Sequence, residues 1–353
     1  MIYLKLSLIF LLGTAVTITV FMTVYLMIRR KRRTKYAKWN NMADLLLRKA
    51  IFFEGDTDQP NCRVQVTGRV AKLLLNDRFR SHLTKKILSA ARSFSGQSSI
   101  NLRALYLQLE LDKFALKMIG SNEWHKKAYG IQQLGVMGLK SHLDTVYRYT
   151  SHSNELIRIE AQLSVLKLHG FEGLRFLDVA TYRISEWQQI LLLKELSLHS
   201  HSNLTGIDKW LQSANSSVVI FALKLTRNYH HYELYDAITQ CIKHLDANVR
   251  MQAIYTLTEI YTEGTSALLL DLLPGEQIDL QLAIARALRK IGDRNDLPAL
   301  ICFLKETPNL TLKLELSRSI AHIDSGLQTL QETNGANTYP MNEIIAQIKS
   351  EIR

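Results

Sequence analysis

Residues 246–253 read Asp-Ala-Asn-Val-Arg-Met-Gln-Ala, and residues 154–161 repeat the pattern as Asn-Glu-Leu-Ile-Arg-Ile-Glu-Ala. In both copies a helix-capping residue comes first, an apolar residue follows three positions later, and an alanine follows four positions after that. This spacing places both apolar positions on one helix face and the capping residue ahead of the first turn. The pattern therefore predicts the first helix of a repeated unit.

The same pattern recurs through the second part of the chain with a period of about 31 residues. The equivalent small or apolar positions are Ala128, Ala161, Leu191, Ala222, Ala253, Ala283 and Leu314. The residues four positions earlier are mostly apolar and include Trp124 and Trp187, so we expect both tryptophans in the core. Each unit reads as two helices joined by a short turn. Such hairpins bury their apolar faces only by stacking, and we assign them to residues 121–335.

These residues, together with the Gly292-Asp293 turn and Pro298 near the start of the next helix, resemble the HEAT-repeat family, with units similar to its PBS-lyase type. The whole arrangement is similar to bacterial membrane-anchored HEAT-repeat proteins of the Bacteroidetes kind. The resemblance implies an all-α fold, an α-solenoid in which helical hairpins form a superhelix. It also implies that Arg158, Asp246 and Arg250 act as structural braces between units.

The N-terminal part predicts a membrane anchor. After a short tail at residues 1–5, residues 6–28 carry no charged side chain. At 1.5 Å per residue this run covers roughly 35 Å, which exceeds a hydrocarbon core of about 30 Å. Its length argues against a cleaved signal peptide. We expect an uncleaved transmembrane helix.

A basic juxtamembrane segment at residues 29–38 follows this run. Its bases are Arg29, Arg30, Lys31, Arg32, Arg33, Lys35 and Lys38. The positive-inside rule then places the N-terminus outside and the rest of the chain in the cytoplasm, at the inner membrane. The same bases are candidates for contact with anionic lipid.

The composition favours long helices over other classes. Only 16 Gly and 5 Pro occur in 353 residues, which argues against collagen-like and loop-rich β folds. Three Cys exclude a disulfide scaffold. The net charge is +12, but residues 1–38 carry +8, residues 39–120 carry +6 and residues 121–353 carry −2. A near-neutral repeat region disfavours nucleic acid as the partner.

No residue pattern predicts catalysis, a metal or a cofactor. The sequence contains no P-loop, nucleophile-elbow or dinucleotide-binding motif. It also lacks the His-Glu pairs of the HEAT-like hydroxylases that bind iron. The close histidine pairs at 199/201 and 230/231 are expected in solvated turns. Cys241 and Cys302 lie in apolar second helices and are expected to be buried, and Cys62 has no nearby cysteine.

Two further regions complete the predicted organisation. Residues 39–120 are mostly helical and are interpreted as an N-terminal cap, and residues 336–353 as a C-terminal capping helix. Five predicted second helices carry a base in or near the last turn: Arg148, Arg183, Lys209, Lys243 and Lys305. They are either a basic stripe for an acidic partner or the usual cations at helix C-termini.

Three functions remain open at this point. The first is a non-catalytic, membrane-tethered scaffold that binds a protein partner, such as an inner-membrane enzyme of the glycosyltransferase kind. The second is a HEAT-like nucleic-acid-binding or DNA-repair protein. The third is a HEAT-like enzyme with an unrecognised site, which a deep pocket rich in titratable groups would favour.

Overall fold

The computed structural model describes residues 2–53, 63–198, 205–332 and 338–351, with side chains of the first helix described from residue 12 onward. Every regular element in these ranges is helical and none is a strand, which confirms the predicted all-α class. The chain forms two compact units, Met1–His169 and Gly170–Arg353.

The first unit contains eight α-helices among its described residues. They are α1 (Ile2–Ile51), α2 (Gly68–Leu74), α3 (Asp77–Ser93), α4 (Gln97–Gln108), α5 (Leu111–Ile119), α6 (Trp124–Val136), α7 (Leu143–Tyr147) and α8 (Glu155–His169). The short 3-10 turn Lys140–His142 precedes α7.

The second unit contains eleven α-helices among its described residues. They are α9 (Glu186–Leu196), α10 (Ile207–Leu211), α11 (Ser216–Tyr229), α12 (Tyr235–Cys241), α13 (Ala247–Glu259), α14 (Thr265–Leu272), α15 (Ile278–Ile291), α16 (Leu297–Glu306), α17 (Leu310–Ile323), α18 (Gln328–Glu332) and α19 (Met341–Glu351). The 3-10 helix Gly170–Val179 stands where the repeat pattern predicts an α-helix.

Helix α1 joins what the sequence predicts as separate parts. The apolar run, the basic segment and the start of the cap form one uninterrupted helix of 50 residues. No Gly or Pro occurs between residues 14 and 51, so nothing in the sequence breaks the helix there. By length and composition α1 is apolar enough to cross a membrane, as some N-terminal signal sequences also are.

Polar groups in the apolar part of α1 bond within the helix. The hydroxyl of Thr19 donates to Ala15 O at 2.8 Å, and the hydroxyl of Thr23 donates to Val20 O at 2.8 Å. Bonds of this kind satisfy the hydroxyls of these threonines in an apolar surrounding. The seven bases from Arg29 to Lys38 are all exposed.

The last part of α1 forms the core of the first unit together with α3. Trp39 and Phe79 are buried, and their rings meet edge to face with centroids 5.5 Å apart. Polar contacts flank this pair: His82 Nε2 lies 2.8 Å from Asn40 Oδ1, and Lys86 Nζ lies 2.6 Å from Asp44 Oδ1. Both contacts join residues 42 positions apart. Helix α3 therefore lies beside α1 and runs in the same direction.

Glycines allow the next helices of the first unit to approach closely. A Cβ at Gly130 would lie 2.6 Å from Ala115 O, and one at Gly135 would lie 2.4 Å from Ser164 Oγ. Such distances are shorter than van der Waals contact allows. The absence of a side chain at these positions of α6 lets α5 and α8 pack against it.

The second unit repeats one packing arrangement. Helices α11, α13, α15 and α17 contact one another in sequence, and the shorter α10, α12, α14 and α16 each contact the long helix that follows. Asn215 and Asp246 accept backbone hydrogen bonds ahead of α11 and α13, as the pattern predicts. Ahead of α17 the capping residue is Asn309, whose side chain accepts from Leu312 N.

Arg250 contacts the neighbouring hairpin. Its Nε and Nη2 donate to Glu276 Oε1 and Oε2 at 2.8 and 2.9 Å, and its Nη1 donates to His244 O at 2.8 Å. Arg158, the equivalent residue of the other copy, donates to His152 O at 2.8 Å. Asp246 caps α13, and that backbone hydrogen bond from Asn248 lowers the pKa of its carboxyl.

The structure corrects three expectations about the core. Trp124 and Trp187 are 48% and 65% exposed, so neither is a core residue. In α9 the buried residues include Gln188 and Leu192, one residue after the predicted pair. In α6 the first buried residue is Gly130, six positions after Trp124. Cys302 is exposed because α16 buries the Leu300 and Leu304 face.

Cys241 is buried as expected, and burial raises the pKa of its thiol to about 11. Three residues that the sequence analysis named, Cys62, His199 and His201, lie outside the described residues. His230 and His231 follow α11 in a turn.

We expect Gly130→Ala to lower the free energy of unfolding by about 1–3 kcal/mol, because the added methyl group would collide with the backbone of α5. The matched control is Gly68→Ala, where no atom lies within 4 Å of the new methyl group. Denaturant unfolding of the full chain in detergent measures both. Equal midpoints for the two variants would contradict the close approach.

We expect Arg250→Gln to lower the free energy of unfolding by about 2–3 kcal/mol, because Glu276 would remain largely buried without its charged partner. The control is Lys290→Gln: Lys290 pairs with Glu259 at 2.7 Å, but the two side chains are 51% and 41% exposed. An exposed pair is worth about 0–1 kcal/mol. A loss for Arg250→Gln no larger than the control's would argue against the brace.

Candidate partner-binding surface

A groove of about 1100 Å³ lies in the second unit. The end of the 3-10 helix and the loop after it form one wall, α9 contributes Glu186 and Gln189, and α10 and the start of α11 form the other wall. Asp246 and Asn248, at the start of α13, also line it.

Side-chain amides hold the wall of this groove in place. Asn215 Nδ2 donates to Ala180 O and to Tyr182 O, both at 2.9 Å. The hydroxyl of Ser217 accepts from Ile184 N at 2.9 Å. The residues that cap α11 therefore also fix the loop before α9, so the groove has a set shape before any partner binds.

Most charges in the groove already have partners. Asp178 accepts from Trp210 Nε1 at 2.7 Å and pairs with Lys209 at 3.0 Å. Asp246 is occupied as the cap of α13. Arg183 is exposed and has no acidic partner among the described residues. It is the lining cation that remains available to an acidic group of a partner.

An apolar pair lies next to the groove on α9. Trp187 is 65% exposed and Ile190 is 54% exposed, and their spacing of three residues places them on one face of the helix. Exposed tryptophan together with arginine is the composition that dominates binding energy at protein interfaces. Trp187, which the repeat pattern predicts in the core, thus lies on the surface.

The structure brings together only two of the five predicted stripe residues. Arg183 and Lys209 both line the groove. The positions of the five are as follows: Arg148 directly follows α7 in the first unit, Arg183 lies in the loop before α9, Lys209 lies in α10, Lys243 follows α12, and Lys305 lies in the last turn of α16. The prediction that Arg183 lies near the end of a second helix is wrong, because a 3-10 helix ends at Val179 and an irregular loop follows it.

The charges around Glu315 escaped the sequence analysis. Glu315 is buried and pairs with Arg318 at 2.9 Å, while Arg286 and Arg289 approach it at 3.7 and 3.6 Å. Arg318 also donates to both carboxylate oxygens of Glu351. This cluster joins α15, α17 and α19. In the sequence, the i, i+3 spacing of Arg286 and Arg289 places both on one face of α15. Their partner Glu315 is far away in the sequence, so this local spacing does not identify it.

The described lining residues of this groove include no histidine or cysteine. Of its three acids, Asp178 and Asp246 are engaged as above, and Glu186 is the third. Among the described residues no group of three or more His, Cys, Asp or Glu could hold a metal ion. The groove offers polar and charged contacts to a bound segment.

No protein-family model matches the sequence, and no curated protein matches it. Among solved structures, the chain is similar to YibA of Escherichia coli, determined by X-ray crystallography, with 12% identity and a TM-score of 0.41 over 74% of this chain and 98% of that one. It is also similar to an engineered protein, with 16% identity and a TM-score of 0.40 over 80% of this chain and 87% of that one. Similarity at this level assigns neither a family nor a function.

Proposed function

We propose that the protein is a non-catalytic, membrane-anchored scaffold that binds a protein partner through the groove of the second unit. The observation that carries this proposal is the exposed Trp187–Ile190 pair on α9, because the same helix lines the groove that contains Arg183. A large exposed tryptophan costs solubility and marks a contact site when it adjoins a shaped, partly charged groove.

The proposed architecture is an α-solenoid of HEAT-like hairpins. Two observations support it: the sequential packing of α11, α13, α15 and α17, and the Arg250–Glu276 contact between neighbouring hairpins. The resemblance at residues 246–304 points to the same architecture. Extended surfaces of such arrays commonly bind protein segments.

The proposed location is the inner membrane, with α1 as the single span. The N-terminus lies outside and the two units lie in the cytoplasm, because the exposed bases from Arg29 to Lys38 follow the apolar run. The same bases contact anionic lipid in this arrangement. Anchoring raises the effective concentration of a partner in the same membrane, and an inner-membrane enzyme such as a glycosyltransferase fits this class.

The two other functions receive less support. Residues 121–353 carry a net charge of −2, which disfavours a nucleic acid. A groove with several titratable side chains is what an enzyme would need, but Asp178 and Asp246 are held by structural partners. The lowered pKa of Asp246 also makes its carboxylate a weaker base.

We expect Trp187→Ala to lower recovery of the partner by about 10-fold or more, because tryptophan anchors at interfaces contribute about 2 kcal/mol or more. The experiment crosslinks the full chain in native membranes, solubilises them and compares recovered proteins quantitatively. Trp124→Ala is the matched control, since Trp124 is also exposed but lies in the first unit. Arg183→Glu should weaken recovery as well. A protein set unchanged by both Trp187→Ala and Arg183→Glu would refute this surface.

We expect a reporter fused after the last residue to be active only in its cytoplasmic form. The positive-inside rule predicts this orientation from the bases that follow the apolar run. Replacing the seven bases of residues 29–38 with Gln should weaken the preference for this orientation, because the difference in positive charge between the two ends of the apolar run would disappear. Activity of the periplasmic form in the unaltered chain would overturn the orientation.

A further inference from the structure

A second groove, of about 590 Å³, lies in the first unit. It is bordered by α1, α3, α5 and the start of α6. Tyr36 and Phe114 provide its apolar walls, and Arg78, Lys85 and Lys117 line it with positive charge. It is separate from the groove of the second unit and shares no residue with it.

The positive charge of this groove is uncompensated. Its one acid, Asp77, pairs with Arg80 at 2.8 Å. Lys126, at the edge, pairs with Glu123. Arg78, Lys85 and Lys117 are exposed and have no acidic partner among the described residues. Three cations that converge on one cavity favour an anionic ligand.

The aromatic walls are fixed by their own contacts. Tyr36 meets Trp39 edge to face with centroids 5.1 Å apart, and the Arg80 guanidinium lies 4.5 Å from the centre of the Phe114 ring. A ligand for this groove therefore combines negative charge with apolar parts. Tyrosine is enriched where proteins meet the headgroup layer.

The packing of α3 on α1 places the groove close to the membrane. Because the two helices run in the same direction with paired residues 42 positions apart, Arg78 lies level with Tyr36. Tyr36 is eight residues beyond Ile28, the end of the apolar run, which corresponds to about 12 Å along the helix. The headgroup layer covers roughly 5–8 Å of that distance. The remaining distance, from the outer edge of the headgroup layer to Tyr36, is shorter than a Debye length of about 8–10 Å, so the charges at this end of the groove still attract the headgroups.

An exposed apolar residue lies at the same end of α3. Leu75, two residues before α3 begins, is 83% exposed. The end of this unit that faces the membrane thus presents a leucine next to a basic groove. This combination is typical of surfaces that rest on lipid headgroups.

We propose that the Arg78–Lys85–Lys117 groove binds the headgroup of an anionic phospholipid of the membrane that α1 crosses. The headgroup approaches the end of the groove nearest the membrane, where Arg78 and Tyr36 lie, and Lys85 and Lys117 add to the positive field behind them. The inference rests on the membrane-spanning role of α1 proposed above and is independent of the protein partner. It assigns lipid binding to the folded unit, beyond the general attraction of residues 29–38 for the membrane.

The test uses the full chain purified in a neutral detergent. Native mass spectrometry follows binding of phosphatidylglycerol and phosphatidylcholine to the unaltered chain and to the variant Arg78→Gln/Lys85→Gln/Lys117→Gln. The control Lys243→Gln/Lys305→Gln/Lys349→Gln removes the same charge from three exposed lysines of the second unit. Thermal unfolding shows that each variant remains folded.

We expect the first phosphatidylglycerol to bind the unaltered chain and the control more tightly than phosphatidylcholine does. The groove variant should lose about 10-fold or more in affinity for it. Equal binding by the groove variant and the control would overturn the proposal, as would equal binding of both lipids by the unaltered chain. Displacement by inorganic phosphate at equal concentration would also overturn it, in favour of a free-anion site.

Failure of this proposal can be separated from failure of the proposed function. Alkaline extraction of native membranes reports on anchoring by α1, and the comparison of Trp187→Ala with Trp124→Ala reports on the partner. Loss of lipid selectivity with intact anchoring and partner recovery would reject the lipid site alone. Release of the chain by alkaline extraction would show that α1 does not anchor it. The lipid site would then lose the membrane placement on which it depends.

Discussion

Each long helix of the second unit can bury its apolar face only because the next helix lies against it. Alanines at the contact, such as Ala253 and Ala283, allow close packing, and larger residues such as Leu288 and Leu316 fill the space between helices. Capping side chains and the Arg250–Glu276 pair then set where each helix begins and how neighbours align. The wall of the candidate partner-binding groove follows from this packing, since Asn215 both caps α11 and holds the loop before α9.

Helix α1 connects two environments through one continuous backbone. Its first part is apolar and exposed, and its last part is buried against α3 in the core of the first unit. A helix without a Gly or Pro break between them transmits the position of the span to the packed helices. This continuity is what places the basic groove of the first unit at a defined height above the proposed membrane surface.

The positive charge of the chain thus divides by location. The net excess lies in residues 1–120, which include the bases of residues 29–38 and of the groove in the first unit, whereas residues 121–353 are nearly neutral. In the second unit several charges occur as pairs within the structure, such as Asp178 with Lys209. An anionic lipid requires uncompensated positive charge and therefore suits the first unit. A protein segment requires a shaped surface and therefore suits the second unit.

The sequence alone determined the all-α class, the apolar span, the capping residues Asn215 and Asp246, and the distribution of charge, since these depend on neighbours within one turn of chain. Only the tertiary structure decided that Trp187 and Cys302 are exposed, that Gln188 is buried and that Arg183 lines a groove. An error of one residue in the predicted position turns a helical side chain by about 100°. Near the start of a helix, too few residues repeat for the apolar pattern to reveal such an error. Arg183 and Lys209 line one groove and Arg78 and Lys117 line another, although the members of each pair are distant in the sequence. No local pattern predicts such a shared lining.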